Sequence, residues 1–117
     1  MADFSGRFIA QWSEVATQNT NVAATATKAG VANQRHFITG YSVSCSAAPA
    51  AAVSTTVTSA ATTVERVELP AAAFSPIVVN LSAPIRCGIG EAAAITCPAV
   101  GGTTRSSVAL RGFTTYE

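Results

Sequence analysis

His36 is the only histidine of the chain and the residue best suited to act as a general base near neutral pH. A Ser-His-acid triad would also need a serine and a carboxylate beside this ring. The sequence contains no G-x-S-x-G turn that would present such a serine. His36 instead opens a stretch that alternates like a β-strand. We therefore predict a structural histidine.

The three cysteines offer a second kind of chemistry. Cys45, Cys87 and Cys97 would complete a four-ligand zinc site together with His36. The sequence lacks the C-x2-C spacing with which such sites usually begin, so we predict no metal site. The three thiols are interpreted as small buried side chains in a reducing compartment. A Cys45–Cys97 or a Cys87–Cys97 disulfide stays open as an alternative.

The remaining chemical motifs are incomplete. Glu65 and Glu68 are the only closely spaced carboxylates, and in a strand they point to opposite faces, so they cannot act together as acid and base. The segment Gly88-Ile89-Gly90 lacks the lysine, the third glycine and the helix of a phosphate loop. We therefore predict that the chain is not an enzyme, with no catalytic residue and no cofactor.

Composition limits the partners of the chain. Its 117 residues make one domain, and only 11% of them are charged, with a net charge of +1 and a single lysine. Without a basic run we expect no nucleic-acid binding, and without a long apolar run we expect no membrane span. The start of the chain lacks the features of a signal peptide, so we expect synthesis in a cytoplasm. The 24 alanines supply little apolar area per residue, which favours association between subunits.

Short β-branched stretches alternate with proline and glycine turns over most of the chain. The predicted strands lie at 21–28, 36–46, 53–58, 64–69, 77–81, 92–97 and 106–115. Turn signals every 8–12 residues are typical of a sandwich. The sequence therefore predicts an all-β fold over residues 20–117, a single antiparallel β-sandwich or jelly roll of about 7–8 strands. Gly101-Gly102 predicts a hairpin turn between the last two strands.

The clearest strand, at 36–46, also sets our expectation for the core. The face predicted to be buried consists of Phe37, Thr39, Tyr41, Val43 and Cys45. The opposite face consists of Ile38, Gly40, Ser42 and Ser44. A glycine within a strand often marks a bulge or a close backbone contact. Because a core rich in alanine needs most of the aromatic residues, an exposed sugar-binding platform is the less favoured alternative.

Residues 1–19 differ from the rest of the chain and are predicted to form an N-terminal arm or a short helix. The spacing of five apolar residues matches one helical face: Phe8, Ile9, Trp12, Val15 and Ala16. The segment either plugs the core of its own domain or docks on a neighbour. For docking, the predicted contact residues are Arg7, Phe8, Ile9 and Trp12, since aromatic residues and arginine are common interface anchors.

Four segments of the chain resemble small structural proteins of tailed bacteriophages. They read AGVANQRHFITGYSVSCSAAP, VERVELPA, IVVNLSAPIRCGIGEAAAITCPAVGG and VALRGFTTYE. The residues that match the pattern of this group are Arg35, Ile38, Gly40, Pro84, Arg86, Gly88, Gly90, Ala92 and Gly112. The resemblance extends from about Ala29 to Tyr116 and leaves residues 1–20 uncovered.

This resemblance implies a jelly-roll-like β-sandwich on a virion. Proteins of this group include capsid decoration or cement proteins, often homotrimers, that bind across major capsid subunits and stabilise the shell. We therefore expect a chain made in the host cytoplasm and located on the outer capsid surface, with itself and the major capsid protein as partners. The alternative is a β-module of a tail, fibre or head fibre that binds a host surface glycan or another virion protein.

Overall fold

A computed structural model describes residues 8–18, 20–102 and 104–116, which form strands joined by turns and loops. The eight strands are β1 (Phe8–Thr17), β2 (Ala24–Lys28), β3 (Gln34–Cys45), β4 (Val53–Ser59), β5 (Thr62–Leu69), β6 (Ile77–Ile89), β7 (Ala93–Cys97) and β8 (Ser106–Tyr116). All seven predicted strand segments are confirmed, and six of them differ from the predicted bounds by at most three residues at either end. The segment predicted at 77–81 is longer than expected, because β6 continues past Pro84 to Ile89.

The strands form two four-stranded sheets in which every pairing is antiparallel. One sheet has the order β1-β8-β3-β6, and the other has the order β2-β7-β4-β5. Only β4 and β5 are consecutive strands within one sheet, and every other connection passes between sheets. This is the strand order of an eight-stranded jelly roll, so the predicted all-β sandwich is confirmed.

The short helix, one of the two forms predicted for residues 1–19, is wrong for the described part of that segment. Residues 8–17 form strand β1, which pairs with β8 from Ala10↔Thr114 to Thr17↔Ser107. Trp12 and Ala16 pack against the core, whereas Val15 is 67% exposed. The apolar residues therefore lie on both faces of an edge strand, and β1 belongs to the same sandwich as the rest of the chain.

Strand β3 contains a bulge that reverses the predicted facing of its first half. Pairing with β8 passes from Ile38↔Gly112 directly to Gly40↔Arg111, so Thr39 is an extra residue. Ile38 is fully buried, and Phe37 lies on the opposite, solvent-facing side. The prediction was therefore wrong for Phe37, Thr39 and Ile38. It is confirmed after the bulge, where Tyr41 and Val43 are buried.

The core lies between the two sheets and is built mainly from aliphatic residues and small ones. Its largest fully buried apolar side chains are Ile38, Leu69, Ile95 and Leu110. Ala24, Ala26 and Ala93 are also buried, on β2 and β7 of the second sheet. The Tyr41 hydroxyl donates to Glu65 Oε1 at 2.9 Å and so links β3 to β5.

The turn at Gly101-Gly102 connects the sheets and is not a hairpin. β7 pairs with β2 and β4, whereas β8 pairs with β1 and β3, so the predicted pairing of the last two strands is wrong. Both glycines have positive φ, at 88° and 58°, a conformation that glycine adopts without strain. The turn signal was interpreted correctly, but the turn carries the chain across the sandwich.

Candidate functional site

The outer face of the β1-β8-β3-β6 sheet carries a line of side chains across all four strands. Gln11, Phe113, Phe37 and Arg86 occupy successive positions in register, and we call them the aromatic row. The rings of Phe37 and Phe113 are stacked, with centroids 4.8 Å apart and planes inclined by 6°. Both side chains are half-buried, while Gln11 and Arg86 are exposed. The pair thus forms an apolar ridge between polar neighbours on a solvent-facing sheet.

A second line of residues runs beside the first. Ser13, Arg111, Gly40 and Asn80 are aligned by the same strand pairings, and we call them the arginine row. Arg111 donates from Nη2 to Asn80 Oδ1 at 2.7 Å. A side chain at Gly40 would collide with the Arg111 guanidinium and approach the Val79 carbonyl oxygen to 2.8 Å. Glycine is therefore needed here, because the arginine crosses the strand above it.

A cleft of about 320 Å³ opens between the two rows and strand β1. It is lined by Gln11, Trp12, Ser13, Thr39, Arg111, Gly112 and Phe113. Its volume is at the small end of the range for ligand pockets, roughly 300 to 1,000 Å³. The cleft combines two aromatic side chains, Trp12 and Phe113, with hydroxyl, amide and guanidinium groups. It therefore offers an apolar contact and several hydrogen-bonding groups within one small space.

His36 is a structural residue, as the sequence predicted. It is 1% exposed, and its Nε2 lies 2.8 Å from the Ala29 carbonyl oxygen while its Nδ1 lies 2.7 Å from Thr114 Oγ1. Because a carbonyl oxygen only accepts, Nε2 carries a proton and donates it. The edge of the Trp12 ring meets the imidazole at a centroid distance of 5.7 Å. Both ring nitrogens are therefore engaged below the surface, away from the cleft.

The other candidate groups do not form a reactive site. Within the described residues no cluster of three or more His, Cys, Asp and Glu side chains could hold a metal ion. Burial raises the pKa of the Cys45 and Cys87 thiols, which disfavours a reactive thiolate. Glu65 accepts from Tyr41, whereas Glu68 accepts from Ser54, so the two carboxylates face different sides of β5 as expected.

The predicted contact residues of the N-terminal segment are described only in part. Arg7 lies outside the described residues, and Phe8 begins strand β1. Ile9 is 38% exposed. Trp12 packs against the core and against His36. A contact role for these residues stays a prediction, and the position of Trp12 supports the alternative that it plugs the core of its own domain.

Sequence reasoning missed the residues of the aromatic and arginine rows. It placed Phe37 in the core and gave no role to Phe113, Arg111 or Asn80. One available signal was Gly40, which was correctly interpreted as a bulge or a close backbone contact. A bulge placed at that position would have moved Phe37 to the outer face. The partner on β8 depends on long-range register, which no local pattern contains.

No protein-family model matches the chain, and no curated protein matches it. Among solved structures, it is similar to a carbohydrate-binding module, CBM36, in complex with calcium and xylotriose. The likeness covers 91% of each chain at 12% sequence identity, with a TM-score of 0.46. A likeness of this degree says nothing about what the present chain binds. The described residues include no helix that is both long and apolar enough to cross a membrane.

Proposed function

We propose that this chain is a non-catalytic β-module that binds a glycan in the cleft beside Phe113. The observation that carries the proposal is the stacked Phe37–Phe113 pair on the outer sheet face, in register with polar side chains. Sugar rings present an apolar C–H face and a rim of hydroxyl groups. The cleft presents a matching aromatic surface and a rim of hydrogen-bonding groups.

The lining of the cleft supports a sugar on the Phe113 side of the pair. Phe37 and Phe113 lie face to face, so each ring covers one face of the other. Phe113 lines the cleft, and its neighbour across β1 is Gln11. A sugar ring bound in the cleft against Phe113 would have Gln11 and Ser13 beside it. Arg111 would lie within the same cleft.

The position of Phe37 also removes the sequence-based objection to this function. A sugar platform was disfavoured because the aromatic residues were expected to fill the core. The described core is instead built mainly from aliphatic and small residues with Tyr41, and Trp12 and Phe74 pack against it. Phe37 and Phe113 do not belong to it. Neither phenylalanine is therefore needed to fill the core.

Binding to a panel of oligosaccharides, compared between the natural chain and two Phe113 variants, tests the proposal. Phe113→Ala should weaken binding at least about tenfold, which corresponds to about 1.4 kcal/mol. Phe113→Leu retains an apolar side chain and should fold while losing the aromatic contact. Tyr116→Ala is the matched control, because it removes an exposed aromatic ring outside the cleft. A folded protein that binds no sugar, or that binds equally well after both Phe113 substitutions, would contradict the proposal.

The second candidate function is decoration of a tailed-phage capsid, which the sequence resemblance favours. On this proposal the chain, as a homotrimer, contacts the major capsid protein through apolar residues of the same sheet. Val15 and Val78 are 67% and 58% exposed on its two edge strands, and Ile9 is also exposed on β1. Copy number in purified particles separates the candidates. Hundreds of copies on the shell would support decoration, whereas a few copies at a vertex would support a glycan-binding tail or fibre module.

A further inference from the structure

We propose that the sugar bound in this cleft is acidic and that Arg111 holds its carboxylate. The inference rests on the glycan-binding function proposed above and adds the chemical class of the ligand. It is carried by the position of one guanidinium group and by the distribution of charge around it. Both are properties of the arginine row.

Arg111 is oriented before any ligand arrives. Its side chain crosses above Gly40, and its Nη2 donates to Asn80 at 2.7 Å. This bond uses one of the five guanidinium N–H groups, so most donors are left for a ligand. A planar guanidinium that is already held in place loses less side-chain entropy on binding than a free one. Asn80 is therefore a positioning residue, and Arg111 is the residue that contacts the ligand.

The charge around the aromatic and arginine rows is positive and uncompensated. Within the described residues, neither Arg86 nor Arg111 forms an ion pair. The described carboxylates do not face the two rows. Glu14 pairs across the strands with the buried Leu110. The other three accept hydrogen bonds elsewhere, Glu65 from Tyr41, Glu68 from Ser54 and Glu91 from Ser59. Among the described residues, an anionic ligand would thus meet two arginines without ion-pair partners and no opposing carboxylate on this face.

The adjacent phenylalanine selects the kind of anion. The guanidinium fork suits carboxylate and phosphate equally well. A free phosphate, however, has no apolar surface to place against Phe113, which lines the same cleft as Arg111. A sugar acid carries both an apolar ring face and a carboxylate within one residue. This combination fits the two contrasting walls of the cleft.

The test compares acidic sugars with their own methyl esters, which keep the sugar and remove the charge. Polygalacturonate oligomers and sialylated oligosaccharides are titrated beside the esters, using the full chain. Free acids should bind at least about tenfold more tightly than the esters. Arg111→Gln should abolish this preference, so that the acids and their esters bind with equal affinity. Arg111→Lys should retain only part of it, because lysine keeps the charge but lacks the fork.

Two further variants complete the design. Asn80→Ala should reduce the preference without abolishing it, since the charge of Arg111 remains. Arg66→Gln, which removes an exposed arginine from β5 of the other sheet, should change nothing. Raising the salt concentration from about 0.05 to about 1 M should weaken the binding of the acids alone, because it shortens the screening length to about 3 Å.

The possible failures are distinguishable. If the esters bind as tightly as the acids, and the Phe113 variants still bind both more weakly, the preference for an acidic sugar is wrong and the proposed glycan binding stands. Inorganic phosphate that displaces the acid at a similar concentration would show a general anion site and overturn the sugar assignment. A folded protein that binds neither the acids nor the esters would overturn both proposals.

Discussion

Replacing Tyr41 by phenylalanine tests how the two sheets are held together. The Tyr41 side chain is 2% exposed and donates to Glu65 at 2.9 Å, across the interior of the sandwich. A hydrogen bond to a charged group contributes about 1.5 to 3 kcal/mol to stability. Glu65 is only half-buried, so water can partly replace the lost donor. We therefore expect Tyr41→Phe to lower the free energy of unfolding by about 1 to 2 kcal/mol near neutral pH.

The same contact makes this stability depend on pH. Burial, and then the hydrogen bond and negative charge of Glu65, raise the pKa of Tyr41 from 10 to about 12. A pKa raised in the folded state stabilises the fold below pH 10, and this contribution is lost as the pH rises from 10 to 12. Two pKa units correspond to a ceiling of about 3 kcal/mol. The stability gap between the natural chain and Tyr41→Phe should therefore narrow by about 1 kcal/mol between pH 8 and pH 11.

Urea unfolding at a series of pH values measures this gap. The control is Tyr116→Phe, which changes an exposed tyrosine and should alter stability by less than about 0.5 kcal/mol. It also leaves Tyr41 as the only tyrosine, so its ionisation can be followed by ultraviolet absorbance. In that background Glu65→Gln should lower the pKa of Tyr41 only part of the way, because burial is the largest cause of the shift. A gap that stays constant up to pH 11 would refute the reasoning.

Two substitutions in the sandwich and one labelling experiment test other features of the structure. Thr55 is fully buried, and its Oγ1 has no hydrogen-bond partner among the described residues, so Thr55→Val should stabilise the protein by about 1 kcal/mol in urea unfolding. A methyl group at Gly112 would overlap the Phe37 carbonyl oxygen and lie 2.6 Å from Trp12 Cζ2, so Gly112→Ala should destabilise by about 2 kcal/mol or more in the same assay. Cys45 lines a cleft of about 200 Å³ and has a raised pKa, so its alkylation, followed by mass spectrometry, should accelerate above about pH 9 and precede that of buried Cys87. A lower stability of Thr55→Val would contradict the first prediction, and an unchanged stability of Gly112→Ala would contradict the second. Alkylation of Cys87 before Cys45 would contradict the third.

Local patterns were sufficient to locate most strands of this fold. Alternating apolar residues between proline and glycine turns predicted seven segments, all of which are strands. The pairing of those strands was not available from the same patterns. Gly101-Gly102 is a turn in the prediction and in the structure, yet it joins β7 of one sheet to β8 of the other. Which sheet a strand joins depends on contacts between residues distant in the sequence, and turn chemistry does not encode them.

The error at the N-terminus has a different physical origin. An edge strand can expose apolar residues on its outer face, and β1 does so at Ile9 and Val15. Together with the inward Trp12 and Ala16, these residues imitate the spacing of one helical face. Pairing with β8 decides the conformation, and that pairing again lies outside the local sequence.

The position of Phe37 in the candidate site depends on a single extra residue in β3, Thr39. With strict alternation through β3, Phe37 and Tyr41 share one face, and the core receives both aromatic rings. The extra residue Thr39 separates them, so that Tyr41 enters the core while Phe37 stacks on Phe113 outside. The same bulge places Gly40 beneath Arg111, where any larger side chain would collide with the guanidinium. The bulge therefore explains both the stacked phenylalanines and the glycine beneath Arg111, and a glycine within a strand was its local sign. A second irregularity aligns Asn80 and Arg86, because the pairing along β6 passes from Ile85 directly to Asn80.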